Sequence, residues 1–193
     1  MKRKENSSAG FMGKEIIEFA TVGVNFAAMM EQASDFTPSE FVSRLTRILG
    51  LLYVKTALLP AYEYDPENYV EDYVDEDTYN LLMGKVSSLL GNYNTFLTAT
   101  HNDMQYSDAP IAANIAEYLA DVYQNVVNLL GIIREENEMA LLSAIGRCRH
   151  YFAEYWGEHL LAALTALHRI EYSSEAMEHL DNEQNNVIPE SLI

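Results

Sequence analysis

His159, Asp121, Asn125 and Trp156 are the residues whose types and spacing come closest to chemistry. His159 follows Phe152 by seven positions, a rotation of only about 20° on an α-helix, so its ring is predicted inside an apolar stripe. A buried imidazole needs partners for both ring nitrogens. One reading is a core histidine satisfied by a carboxylate or a backbone carbonyl. The other is a general base, or a metal ligand oriented by an acid behind it. Asn114, Glu117, Tyr118, Asp121, Asn125 and Asn128 supply such acids and amides at three-and-four spacing along another predicted helix. If Asp121 meets His159 and Trp156, with Asn125 beside them, the four line a small polar pocket. Otherwise the ladder only bonds two helices together.

Other chemistries have less support. A carboxylate-bridged di-metal bundle wants two Glu-x-x-His units, and the chain has none. His150 and Glu154 fall opposite the apolar stripe, on a face read as solvated, and His179 lies near the C-terminus. Cys148 is the only cysteine, so no internal disulfide or cysteine-rich zinc site can form. Cys148 sits on the core stripe, where a cysteine behaves as a small hydrophobe. No nucleophile elbow, phosphate loop or dinucleotide fingerprint is present, and the acids from Asp72 to Asp77 lack calcium-loop spacing. The expectation is no metal and no cofactor.

A second set of residues stands apart from the first. Between positions 60 and 77 there are eight acids and no base, interleaved with Tyr62, Tyr64, Tyr69 and Tyr73. Tyr62, Tyr64, Glu71, Asp72, Tyr73, Asp75 and Glu76 form a candidate surface for a basic protein segment, since tyrosine pairs an apolar ring with a polar tip. The other reading is a solvated connection, pinned to the bundle through Arg44, Arg47 or Lys55. The whole chain has 29 acids against 12 bases, a net charge of −17, which repels phosphate backbones and argues against nucleic acid as a partner.

The elements that must position these residues are helical. Apolar residues make up 49% of the chain, which excludes a disordered polymer, and they recur at three or four. A first helix spans about 15–33. A second begins at Thr37-Pro38 with Glu40 completing a capping box, and Pro60 stops it. The third runs from about Asp75 to Leu90, followed by a short helical stretch from Tyr93 to Thr100. The fourth starts near Asp108 and runs to about Arg134, and the fifth, about Glu138 to Ile170, is the longest. The predicted fold is all-α: a single antiparallel bundle of about five main helices, with a long acidic, Tyr-rich connection. Residues 1–14 read as a lead-in, 15–171 as the bundle domain, and 172–193 as an acidic tail with nothing to bury. No apolar run approaches the roughly 20 residues of a spanning helix, and no apolar core follows the basic start as in a signal peptide. The expectation is no membrane association and a cytoplasmic setting.

Two segments also carry a resemblance. Phe152-Ala153-Glu154-Tyr155-Trp156-Gly157-Glu158-His159-Leu160, with Ala166-Leu167-His168 after it, resembles the C-terminal signature of an uncharacterised bacterial family known only as a domain of unknown function. Tyr118-Leu119-Ala120-Asp121-Val122-Tyr123-Gln124 resembles its other marked segment. The similarity covers roughly residues 15–170. It implies an all-α cytoplasmic protein, and directs attention to Asp121, Trp156, His159 and His168 without implying an activity.

Two functions follow from these features. The first is a non-catalytic interaction or adaptor module that uses the acidic, Tyr-rich surface. The alternative is a small-ligand-binding protein or enzyme with an internal pocket around Asp121, Trp156 and His159. The second requires Asp121 and His159 within hydrogen-bond reach beside a cavity open to solvent.

Overall fold

The computed structural model describes residues 13–98, 110–135 and 137–185. Residues 1–12 of the expected lead-in, and the expected helix start at Asp108, lie outside the described residues. The chain is mostly α-helical. Helix α1 covers Lys14–Glu31, α2 Pro38–Ala57, α3 Glu76–Leu90 and α4 Ile115–Arg134. Helices α5, Glu138–Tyr151, and α6, Gly157–Glu171, run on from one another through a π-helical turn, Phe152–Trp156. Helix α4 packs against α1, α3, α5 and α6, and its Leu119, Val122, Val126 and Leu129 lie at the centre of one continuous core. No helix among the described residues is long and apolar enough to cross a membrane.

Local signals set two of these helices. Thr37 Oγ1 accepts from the Glu40 amide at 3.3 Å with Pro38 in the first turn, and Asp75 Oδ1 accepts from the Thr78 amide at 2.8 Å. Each side chain satisfies one of the donors that a helix start leaves unpaired. The Thr78 bonds also hold the Asp75 carboxyl below its usual range.

Four expectations are corrected. First, the stretch from Tyr93 is not a helix. A 3-10 turn at Gly91–Asn94 leads into strand β1, Thr95–Thr98, which pairs antiparallel with β2, Ile111–Asn114. Thr-Phe-Leu-Thr carries β-branched and aromatic residues that favour a strand. Second, α4 begins at Ile115 rather than near Asp108, because β2 occupies the residues before it. Buried Asn94 supplies the missing cap from across the chain: its Oδ1 accepts from the Ala116 amide at 2.8 Å.

Third, the long final helix carries one extra residue in its π turn, where the Gly157 amide donates to the Phe152 carbonyl. The insertion shifts the helical phase. Trp156 is fully buried, while His159 moves to the edge of the apolar stripe, with 23% of its side chain exposed. Fourth, the tail is not without a docking surface. Helix α7, Ser174–Asn185, packs on α2 and α6, burying Leu180 to 2% exposure. Asp181 Oδ1 accepts from the Ser39 amide at 3.0 Å, placing a carboxylate on the N-terminus of α2 beside the Thr37 cap.

Leu180→Ala is therefore expected to lower stability by about 2–3 kcal/mol, near the low end for a buried leucine because a terminal helix can shift to close part of the gap. Urea denaturation at pH 7 measures this, and an unchanged midpoint would show that α7 adds nothing to the cooperative unit.

Candidate functional site

Residues 58–75, the Tyr-rich connection, form neither helix nor strand, and their polar backbone must be satisfied from elsewhere. Asn128 on α4 does much of this. Its Oδ1 accepts from the amides of Tyr73 at 2.7 Å and Val74 at 3.1 Å, and its Nδ2 donates to Asp72 Oδ1 at 2.9 Å. Arg147 on α5 donates to the carbonyls of Val70 and Glu71 and pairs with Asp72 at 2.8 Å. Arg149 holds the start of the connection through the Leu59 carbonyl. These two arginines do the pinning expected of Arg44, Arg47 and Lys55. Arg47 instead pairs with Glu171, Lys55 with Glu18, and Arg44 lies over the Phe36 ring.

Two glycines let the connection sit close. A Cβ on Gly131 would fall 2.3 Å from the Tyr73 ring, and one on Gly146 would fall 2.6 Å from the Glu63 carbonyl oxygen. Val70 and Val74 are buried beneath the connection. It is a strap laid over α4 and α5.

Between strap and helices lies a cavity of about 380 Å³, within the size range of small-molecule sites. The strap contributes Tyr64, Asn68, Tyr69 and Asp72 to its walls. Helix α4 contributes Gln124, Asn125, Asn128 and Leu129, and Ala144, Arg147, Cys148, Tyr151 and Tyr155 close the far side. Two apolar grooves elsewhere are larger, about 510 Å³ beside β1 and α6 and about 560 Å³ between α1 and α4. Their exposed walls are mainly apolar, although Thr98, Glu158, Thr165 and Arg169 border the first and Glu31 and Arg134 the second.

The wall is braced from behind. Asn125 Nδ2 donates to Tyr155 Oη at 2.8 Å and to the Asp121 carbonyl at 2.9 Å. Asp121 Oδ1 accepts from the Tyr79 hydroxyl at 2.9 Å, and its Oδ2 meets His159 Nδ1 at 2.7 Å. A carboxylate only accepts, so this contact assigns the hydrogen to Nδ1. The His159 ring stacks on Tyr118 at 4.1 Å and meets Tyr155 edge to face at 5.7 Å. Tyr64 stacks on His150 at 4.4 Å, and its hydroxyl lies 3.2 Å from that of Tyr151.

Burial first, then the Asp121 charge, pushes the Tyr79 hydroxyl far above its usual range. Burial also raises Tyr118 and Tyr155, and it pushes the Cys148 thiol up to about 12, which leaves that cysteine unreactive.

Of the four candidate pocket residues, Asn125 alone lines this cavity. Asp121 and His159 stand one layer behind it, and Trp156 is a core residue whose indole donates to the Cys148 carbonyl at 3.1 Å. Of the candidate surface residues, Tyr62, Glu71 and Glu76 face outward. Asp72 is paired with Arg147, Asp75 caps α3, Tyr64 lines the cavity, and Tyr73 lies on Gly131 with its hydroxyl donating to Glu135. Sequence reasoning missed Gln124, Arg147, Tyr151 and Tyr155 as neighbours of the strap. Tyr151 and Tyr155 were findable as a four-residue repeat leading to His159. Among the described residues, no group of three or more His, Cys, Asp or Glu side chains is placed to hold a metal ion.

The model of a family described as a domain of unknown function, DUF5063, matches residues 11–173. The chain belongs to that family. The crystal structure of protein BF1032 from Bacteroides fragilis is similar, with 30% sequence identity and a TM-score of 0.73, over 84% of this chain and 96% of that one. No curated protein matches the chain. The matched residues, 11–173, run through α1 to α6 and so take in the strap and both walls of the cavity.

Two outcomes test the bracing network. In a double-mutant cycle, Asp121→Ala and His159→Ala are expected to couple by at least about 0.5 kcal/mol, because the two touch directly. Additive effects in urea denaturation would remove the pair from the bracing. The second outcome concerns pH. Tyr79 has a raised folded value, so its contribution is fully present below about pH 10 and is lost as pH climbs toward the folded value. Stability should therefore fall across pH 10–11.5, and less steeply in Tyr79→Phe. Equal slopes for both proteins would be the contrary result.

Proposed function

We propose that this DUF5063 protein binds a small molecule in the cavity between the strap and helices α4 and α5. The observation that carries the reading is a wall in which tyrosines and amides meet in front of a fixed hydrogen-bond network. Sites for small molecules combine apolar surface with a few held polar groups in this way. The Asp121–His159 pair supports Tyr155 from behind, so we assign it a positioning role and no catalytic step. The single cysteine is buried and unreactive, in keeping with a cytoplasmic setting.

A second reading rests on the outward edge of the strap. Tyr62, Glu71 and Glu76 are exposed there, on a chain with a net charge of −17. A basic protein segment could meet that edge, with affinity falling as salt rises. The inward-facing part of the strap already has its partners within the chain, which is why the cavity is the preferred site.

Saturation-transfer NMR with a set of polar fragments tests the cavity. Fragments are expected to bind the wild type and to lose their signal with Gln124→Trp, which fills the cavity from the partly exposed face of α4. The variant should melt within a few degrees of the wild type. Absence of any bound fragment, or binding that survives the filled cavity, overturns the proposal.

A further inference from the structure

The walls of the cavity restrict what can fill it. Its ionisable lining residues of fixed charge are Asp72 and Arg147, and these pair with each other at 2.8 Å. Arg147 also donates to two strap carbonyls, so its charge is engaged. An anionic ligand would approach a chain of net charge −17, and a cationic one would meet the guanidinium in the wall. Arg147 is taken up by these bonds, and Asp72, bonded through Oδ1, has a side chain 62% exposed, where water screens its charge. A neutral ligand avoids both costs.

Hydrogen-bonding capacity remains on α4 and beside it. The Gln124 amide has no partner among the described residues, and Asn125 makes both of its bonds through Nδ2, leaving Oδ1 to accept. Tyr155 Oη accepts from Asn125, which leaves its own hydrogen to donate. One wall therefore offers both donors and acceptors, and a hydroxyl group serves either kind. The facing surface is tyrosine, including Tyr69, which is 87% exposed at the mouth. Tyr64 and Tyr151 are tilted at 55° to each other, and Tyr151 and Tyr155 at 62°. Splayed rings of this kind form no parallel slot for a flat base. They can pack against the C–H edges of a puckered ring.

Resting on the proposed small-molecule site, we infer that its ligand is an uncharged, polyhydroxylated ring compound of the sugar class. Its hydroxyls meet the amides and the Tyr155 hydroxyl, and its apolar face meets the strap tyrosines.

Probes that share one ring and differ in charge test the inference. At pH 6, glucose and N-acetylglucosamine are neutral, glucosamine is a cation and glucuronate an anion, and adenosine represents a flat base. In saturation-transfer NMR at fixed salt, at least one neutral sugar is expected to bind several-fold more tightly than either charged analogue or adenosine. Gln124→Ala should weaken that binding roughly three- to tenfold, the loss of about one hydrogen bond, with an unchanged melting temperature. Tighter binding of a charged probe or adenosine, no binding of either neutral sugar, or no effect of Gln124→Ala overturns the inference. If the sugars fail while fragments still bind and are displaced by Gln124→Trp, the ligand class is wrong and the cavity remains a site. If both fail, the site itself is wrong.

Discussion

A strap of backbone without helix or strand can lie on a protein only where other groups take its hydrogen bonds. Asn128 and Arg147 are those groups here. One takes two adjacent amides and the other two adjacent carbonyls, and they share the Asp72 carboxylate. Together they fix the strap near residues 70–74. Gly146 lets it touch α5 again near residue 63. Between the two contacts the chain stands off the helices, and the cavity lies beneath that span. Its polar walls follow from this arrangement, because the groups that seat a polar strap are themselves polar.

The same logic recurs at the helix starts. The amide of Ala116 on α4 is satisfied by Asn94, from before the β-hairpin, and that of Ser39 on α2 by Asp181, from α7. A cap reaching across the chain couples two elements as well as closing one. Removing either side chain would leave a helix donor unpaired and loosen a contact distant in sequence. In this way the terminal helix and the small hairpin become parts of the bundle despite burying little apolar surface.

What the sequence disclosed follows from which interactions were local. Helices α2 and α3 were legible because Thr37, Pro38 and Asp75 act within one turn of themselves. The facing of Asp121 and His159 was within reach because both stand on long helices with regular apolar spacing. The seat of the strap was not, since Asn128 and Arg147 lie more than fifty residues from the backbone they hold. Helix α7 escaped because one buried leucine among acids gives almost no periodic signal. His159, expected inside the apolar stripe, stands at its edge for a different reason. A regular helix was assumed through a segment that contains an extra residue, and phase errors of that kind move every side chain after the insertion.

That insertion also shapes the wall. On a regular α-helix, residues four apart drift by about 40° per step, so Tyr151, Tyr155 and His159 would spiral away from one face. The wider turn at Phe152–Trp156 takes up part of this drift. The three rings instead follow one another edge to face, at 5.8 Å and then 5.7 Å. At one end of the row Tyr151 and Tyr155 line the cavity, and at the other His159 is tied to Asp121 on α4. Trp156, fully buried, packs against Phe152 at 4.6 Å and anchors the turn in the core. A π turn is costly in regular hydrogen bonding and tends to persist where a site depends on it. Here it joins a rigid core residue, a row of cavity-lining aromatics and a helix-bridging hydrogen bond within nine positions of the chain.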